Sequence, residues 1–478
     1  MKRTVVICIE SQWHSRNLDL PEDYNETHVF GDDDMLITFQ SSELIKHLKT
    51  IKQFRKWPDI VDLEGFEKHM AQEGKDLRRA GKWKMGETLK HYNISDFDFK
   101  LSHQTTKQFL GYMAVLYEYL LTQKPEERDR FCSLETEVNR LIYRRQASGV
   151  PVDMNLAATL CAELEKEIYR AKNELQLKHR IFNPENEHWQ HSYLKEKGYK
   201  VVKSLLFTFK SKRNEDNISS LLYEMIRNQK DFDSLLFMQS HWGGRERAYP
   251  KYLGFGTITS RIILRNPSFQ NLRKSNRKVV VADKFHKLLY IDYSQFEAGI
   301  LASLSDDSKL IDLYNKDIYE DLATFVYADS KKRSDAKVIF YRYMYGDTTL
   351  GKKEQQYFKK FTKLQQYKQD IDKEMSEDHR IGTGFGNFRV RGQDEVTWAL
   401  SHIIQGTASL IYKNALIRVS KEVDRAKFLI PMHDGTVYQI SDMWYEGVKK
   451  QVEYIYVEEF KKICPKLDCK VNMKEIFE

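Results

Sequence analysis

Leu288-Leu289-Tyr290-Ile291-Asp292-Tyr293-Ser294-Gln295-Phe296-Glu297 begins as an apolar strand and ends as the first turn of a helix. The run Leu288–Asp292 predicts a buried strand with a carboxylate at its mouth. Phe296, Ile300, Leu301 and Leu304 then recur at helical steps, so the following helix packs inward and leaves Glu297 beside the strand end. A second stretch has the same form. Phe428-Leu429-Ile430-Pro431-Met432-His433 delivers Asp434, and Gly435-Thr436-Val437-Tyr438 returns from it. Aspartate at a strand end is ordinary turn chemistry in most proteins. Two such acids on neighbouring strand ends can also hold a pair of hard divalent cations about 4 Å apart, the arrangement that stabilises in-line phosphoryl displacement.

The rest of the chain narrows the choice. At 478 residues it is long enough for about three domains. Lys plus Arg exceeds Asp plus Glu, 77 against 69, a net charge of +8 that only mildly favours a polyanionic partner. Five scattered cysteines form no CxxC pair and no zinc-spaced cluster, which suits a reducing compartment without structural disulfides. The apolar run Thr4–Ile9 is too short for a secretion signal, and no stretch approaches the roughly 20 apolar residues of a membrane span. The expectation is a cytoplasmic monomer with no membrane partner.

Residues 1–131 read as a small mixed N-terminal domain, with a strand at Thr4–Ile9 and an acidic run at Asp32-Asp33-Asp34. From Cys132 the pattern turns helical. Leu134, Val138, Leu141 and Ile142 share a face, and Leu156 to Leu175 repeats the habit after the break Ser148-Gly149-Val150-Pro151-Val152-Asp153. Asp153 is expected to cap the second helix, and Phe182-Asn183-Pro184 to end it. The basic stretch Lys195–Arg213 suits either a nucleic-acid grip or a solvated helix surface. From Tyr252 the chain reads as α+β, with strands at Val279–Ala282, Leu288–Asp292, Lys427–Met432 and Thr436–Ile440 around a helical block at 294–425.

One helical stripe stands out. Arg333, Lys337, Tyr341 and Tyr345 fall at four-residue steps and Gly346 follows, so two cations and two rings line one slowly drifting face. Such a face can meet a triphosphate and then a sugar and base. An ordinary helix with a basic end and an aromatic end would look alike.

Five ordered blocks decide between these readings. They are Asp292-Tyr293-Ser294-Gln295-Phe296-Glu297, the Arg333–Gly346 stripe, His433-Asp434, Thr259-Ser260-Arg261 with Asn266-Pro267-Ser268-Phe269-Gln270-Asn271-Leu272, and Gln405-Gly406-Thr407-Ala408. Together they resemble the family A DNA polymerases, over roughly residues 132–478. The resemblance implies an α+β right-hand polymerase fold with an antiparallel-sheet palm and helical fingers and thumb, plus the small N-terminal domain. Its parts would be residues 132–265 as thumb and entry to the palm, and 266–478 as palm with fingers nested at about 305–400. It implies Asp292 and Asp434 as catalytic and metal-binding carboxylates, joined by the Tyr293 backbone carbonyl. It implies Arg333, Lys337, Tyr341, Tyr345, Glu297 and Gln295 around the nucleotide, and Arg261, Gln270, Asn271, Gln405 and His433 along the primer–template. Arg261 and Gln405 can donate to the acceptors that every base pair shows in the minor groove. Two Mg2+ ions (Mn2+ can substitute), deoxynucleoside triphosphates, primer–template DNA and an unknown processivity factor complete the expected partners. The DNA would be that of a nucleoid or a host cell.

The departures matter too. Gly435 stands where DNA-copying members usually have a glutamate and where single-subunit phage-type RNA polymerases also keep a small residue, whereas Glu297 is the carboxylate that closes the pocket to a 2′-hydroxyl in DNA-making members. Gly299, Tyr319, Thr397 and Ser401 replace an arginine, a histidine, an arginine and an asparagine. Asp62-Leu63-Glu64 superficially matches the opening acids of a proofreading site, but too few residues follow before the thumb, and an acid pair on a surface turn is the better reading. The N-terminal domain is then a reduced, non-catalytic exonuclease-like remnant. DNA synthesis without proofreading is expected. The rivals are an RNA-making or RNA-copying enzyme of the same fold and a catalytically silent DNA-binding accessory protein.

Overall fold

Lys2–Ile9 (β1) carries Val5, Val6 and Ile7 in its middle, all fully buried, which makes it the central strand of the N-terminal sheet. The computed structural model describes residues 2–20, 22–26, 30–31, 34–51, 57–74, 83–96, 101–201, 204–392 and 396–475. Asp32 and Asp33 of the expected acidic run, and Val202 and Lys203 of the basic stretch, lie outside them. Glu10 and Ser11, both at positive φ, turn β1 back into β2 (Gln12–Asn17), the twist that a tight hairpin demands. With β3 (Tyr24–Asn25), β4 (Asp34–Thr38) and β5 (Asp59–Asp62) the sheet runs in the order β3-β2-β1-β4-β5. β1, β4 and β5 are parallel, and helix α1 (Ser41–Thr50) makes the crossover between β4 and β5. Helices α2 (Leu63–Ala71), α3 (Met85–His91) and α4 (Thr106–Gln123) cover it. Phe109, Leu110, Met113, Leu116, Tyr117 and Leu120 form the apolar stripe of α4 over Val5, Ile7, Ile37 and Val61.

Asp62 corrects an expectation. It is buried, caps α2 by accepting the Glu64 N–H at 3.0 Å, and accepts the Ser41 hydroxyl. It is a structural cap and not a surface acid.

The chain runs on through α5 (Pro125–Arg130), one π-helical turn at Phe131–Glu135 and α6 (Thr136–Ser148) without a break at residue 131. Two compact units emerge, Met1–Ser148 with Tyr252–Ile263 and Lys287–Lys474, and Gly149–Lys251 with Leu264–His286 and Glu475–Glu478. The second unit contains the short paired strands β6 (Val150–Pro151) and β7 (Arg247–Ala248). Its helices are α7 (Met154–His179), α8 (Glu187–Glu196), α9 (Leu205–Lys212) and α10 (Asn217–Trp242), around Ile168, Leu175, Leu194, Phe209, Leu222 and Met225. Asp153 caps α7 through the Leu156 N–H at 2.9 Å, as its position before the apolar run predicts. The strand expected at Val279–Ala282 is absent. Val279 ends a 3-10 turn, and only Val280 forms a bridge, to Val152, because the facing chain turns into the α7 cap at Asp153.

Short strands β8 (Lys251–Leu253) and β9 (Ile263–Arg265) precede the second part of the first unit. There β10 (His286–Tyr293) leads to α11 (Phe296–Ser305), α12 (Ser308–Lys316), α13 (Ile318–Tyr327), α14 (Arg333–Met344), α15 (Lys352–Lys359) and α16 (Thr362–Asp378). A hairpin, β11 (Arg380–Thr383) with β12 (Gly386–Val390), interrupts what the sequence suggested was one helical block. Helix α17 (Ala399–Glu422), strands β13 (Lys427–Pro431) and β14 (Gly435–Ser441), helix α18 (Tyr445–Ile463) and strand β15 (Val471–Glu475) complete the chain. The central sheet has the order β13-β14-β10-β15, so the two strand ends that carry Asp292 and Asp434 are neighbours. Stacked Tyr293 and Phe296, 4.1 Å between centroids, pack on Phe460 of α18. Among the described residues no helix is long and apolar enough to cross a membrane.

A buried polar ladder ties α5 to the hairpin. His69 lies 3.0 Å from a Glu127 carboxylate oxygen through Nε2, and Arg130 Nη2 lies 3.0 Å from its Nδ1. These partners assign a neutral Nε2–H ring. Arg130 also binds Glu127 and Glu135, each at 3.0 Å, while the Phe388 N–H donates to Glu127 at 3.2 Å. Burial and the Arg130 charge lower the His69 pKa below 6.5. Burial alone would raise Glu127, but His69 and Arg130 outweigh it and hold the carboxyl at about 2. The unfolded chain therefore takes up a proton on His69 below pH 6.5, and on Glu127 below about 4.5, that the folded chain refuses. Both uptakes make stability fall as pH falls, Glu127 contributing on the order of 2–3 kcal/mol by pH 2. Urea midpoints measured from pH 7 to pH 3 should decline across both windows. A flat profile would contradict the ladder.

Candidate active site

The turn between β13 and β14 is closed by the Met432 N–H donating to the Gly435 carbonyl at 2.7 Å, which lifts His433 into solvent and sets Asp434 at the strand mouth. The Tyr293 N–H donates to the Asp434 carbonyl at 3.3 Å, so the backbone of one strand end fixes the other. Gly435 makes this approach possible. A Cβ there would lie 2.1 Å from the Ile291 carbonyl oxygen and 2.7 Å from Asp292 Cβ. Any side chain at this position would therefore meet the neighbouring strand's backbone.

Arg261 reaches the pair from the turn after Gly256. Its Nη2 donates to Glu297 Oε1 at 2.5 Å and lies 3.4 Å from Asp434 Oδ1. Glu297 is 2% exposed, and its second oxygen has no hydrogen-bond partner. Burial lifts its pKa to about 7, with Asp434 adding to the rise and Arg261 and Lys337 opposing it. Burial also raises Asp292, helped by the charge of Asp434, whereas Asn472 and Lys474 on β15 pull it down.

The stripe on α14 forms as its spacing predicts. Lys337 Nζ lies 5.8 Å from the Tyr341 ring centroid, and Tyr341 lies 5.8 Å from Tyr345. Tyr319 is buried beneath, 5.2 Å from the Arg333 guanidinium and 5.7 Å from Lys337, with Phe340 at its edge. A tyrosine at this position therefore supports the two cations as a π surface. Arg333 is also held by Asp317 at 2.8 Å. Burial drives the Tyr341 hydroxyl far above its usual range, and Tyr319, Glu297 and Asp434 add to the effect. Tyr345 is pushed up to about 12 by burial and by the Glu297 charge, opposed by Arg261 and by its hydrogen bond to Gln405. Asp292, Asp434, Glu297, Arg261, Lys337, Tyr341, Tyr345 and Gln405 thus belong to one cluster.

Three other expected residues make contacts of their own. Gln295, at positive φ, accepts the Ile318 N–H at 3.1 Å, which ties its carboxamide to the start of α13. Gln270 and Asn271 belong to the second unit. Gln270 is buried and accepts the Leu264 N–H at 2.8 Å, while the exposed Asn271 donates to Ser268 at 2.8 Å. At Gly299 a Cβ would meet the Tyr314 ring at 2.7 Å, so this position has no room for a side chain. Sequence pattern missed Asn472, Lys474 and the buried residues behind Ser260, since charged and amide side chains in otherwise regular stretches carry no signal.

The acids suit a divalent cation. Asp292 Oδ1 is buried with no hydrogen-bond partner, and the Asp434 charge disfavours ionisation of Asp292, both of which a cation would reverse. Among the described residues no three His, Cys, Asp or Glu side chains form a cage. Magnesium is usually held by one or two carboxylates together with substrate phosphates and water, so no such cage is required.

Comparison with known proteins agrees with this architecture. Residues 154–476 match the family described as DNA polymerase family A. DNA polymerase I of Caldicellulosiruptor bescii is 25% identical over 384 residues, 67% of this chain and 44% of that protein. The thermostable DNA polymerase I of Thermus filiformis is 25% identical over 380 residues, 67% of this chain and 45% of that one. The chain thus spans less than half the length of these relatives. The POL domain of Pol1 from M. smegmatis, solved in complex with DNA primer-template and dNTP, superposes with a TM-score of 0.78 at 16% identity, over 99% of this chain and 95% of that one. The fold is the right-hand polymerase α+β fold. With two-thirds of its length matched by the family and its paired strand-end aspartates in place, the chain belongs to DNA polymerase family A.

Proposed function

We propose that the protein is a DNA-directed DNA polymerase that extends a primer with deoxynucleoside triphosphates at a two-magnesium site and does not proofread. The observation that carries this reading is the convergence of Asp292, Asp434, Glu297 and Arg261 beside the Lys337–Tyr341–Tyr345 stripe. Asp292 and Asp434, with the Tyr293 carbonyl, would hold the ions. Magnesium held there would supply the charge that lowers the pKa of the primer 3′-hydroxyl and offsets charge on the leaving pyrophosphate. The protein's own groups do the rest by position and charge. Arg333 and Lys337 meet the phosphates. Tyr341 and Tyr345 stack under sugar and base, and Glu297 blocks the place of a 2′-hydroxyl. Arg261 and Gln405 test pair shape from the minor groove. His433, exposed at the turn, faces the primer end.

Absence of proofreading is supported by the N-terminal acids. Asp62 is a helix cap, and Asp59 is bound by Arg140 through two contacts of 2.7 Å. Each is committed to the fold.

Primer extension with deoxy- and ribonucleotides, on DNA and on RNA templates, tests the reading. Preference for ribonucleotides would favour an RNA-making enzyme. Equal inactivity of wild type and Asp292→Ala, with both still binding primer–template, would favour a silent accessory protein. Within the same assay Lys337→Ala should raise the KM for the nucleotide about tenfold, the loss of one charge-assisted hydrogen bond. An unchanged KM would remove Lys337 from the site.

A further inference from the structure

Ser260 is a serine in a backbone conformation that favours glycine. Its φ is +62°, within the segment Thr259-Ser260-Arg261. A residue with a side chain is strained in the left-handed region. The side chain is put to use.

Its hydroxyl donates to Glu135 Oε1 at 2.8 Å and receives a hydrogen bond from Lys413 Nζ at 2.6 Å. Lys413, fully buried on α17, also binds Glu135 Oε2 at 2.6 Å. Arg130 Nη1 also donates to Glu135 Oε1, at 3.0 Å. The Ser260 carbonyl accepts the Ser409 hydroxyl at 2.6 Å, and its N–H donates to the Thr257 carbonyl at 2.9 Å. The next residue is Arg261, whose N–H is held by the Thr257 hydroxyl at 3.1 Å and whose guanidinium meets Glu297 and Asp434. The turn is thus gripped at side chain, carbonyl and amide, and its one projecting group points into the site.

We propose that Ser260, Lys413 and Glu135 are positioning residues for Arg261. A buried ion pair is costly to desolvate and adds little net stability. Here it supplies two rigid partners to one hydroxyl and fixes the angle at which Arg261 leaves the backbone. The proposal rests on the polymerase reading, because its readout is primer extension.

Lys413→Met leaves Glu135 buried with one cation fewer and can unfold the chain, so the Ser260 variants carry the test. Ser260→Ala and Ser260→Gly are assayed for primer extension well below their melting temperatures, each alone and combined with Arg261→Ala. Both single variants should lower kcat about ten- to a hundredfold, since a displacement near 1 Å in a positioning group costs that order. Glycine should not rescue, although it relieves φ. In the Arg261→Ala background neither substitution should lower the rate further. Wild-type rates for Ser260→Gly would overturn the proposal, because the hydroxyl would then be dispensable. Losses that simply multiply with that of Arg261→Ala would overturn it as well, because Ser260 would then act on the fold alone. Should wild type itself fail to extend primers, the polymerase reading falls, a result distinct from either.

Discussion

Asp434→Asn is expected to lower primer extension at least about a thousandfold, while primer–template affinity changes less than about threefold. The substitution is isosteric, so the turn closed by Met432 and Gly435 persists and Arg261 keeps Glu297 as its partner. What disappears is one of two anionic groups at neighbouring strand mouths. An amide oxygen binds magnesium far more weakly than a carboxylate, and transition-state charge is then left without its counter-ion. Single-turnover extension beside anisotropy with labelled primer–template separates the two quantities. A variant that retained a tenth of the rate would remove Asp434 from the chemistry.

Gly435→Ala should be damaging as well, without touching a charge. Its Cβ would sit 2.1 Å from the Ile291 carbonyl oxygen, which is backbone and cannot swing aside. β10 and β14 would have to part, costing about 1–3 kcal/mol of stability by overpacking. The same separation moves Asp434 from Asp292, and extension should fall about a hundredfold. Thermal melts and extension rates measured together check both effects. The sharper version is Gly435→Glu, which restores the residue usual in DNA-copying relatives. It should do worse than alanine, and an active Gly435→Glu would show that the strands do not approach as closely as 2.1 Å implies.

The parts of this fold that repeat a period were legible in the sequence. β10, β13 and β14 are apolar runs ended by polar residues, and the α14 stripe is a plain four-residue step, so their positions follow from pattern alone. Asp153 announced its cap for the same reason. The N-terminal sheet was mostly hidden, because β2 reads Gln-Trp-His-Ser-Arg-Asn and buries His14, Ser15 and Asn17 against β1. The hairpin β11–β12 was hidden by length, four and five residues between two long helices. Gln295 matched a motif, yet its conformation at φ +50° turns its carboxamide to α13. Lys413 and Glu135 had no signal at all. Charged residues on helices read as solvated, and only their meeting across the fold makes them one unit.

The ladder through Arg130 has a consequence for descent. Arg130 touches Glu127 and Glu135 on its own stretch, His69 from the N-terminal sheet's helix, and Asn387 of the hairpin at 3.5 Å. Segments joined by so many committed polar contacts cannot be exchanged one at a time. A lineage that lost the N-terminal sheet, or swapped it for another, would strand a buried arginine and the glutamate that grips Ser260. Descent therefore constrains the sheet through the contact its helix makes with Arg130, independent of any chemistry of its own.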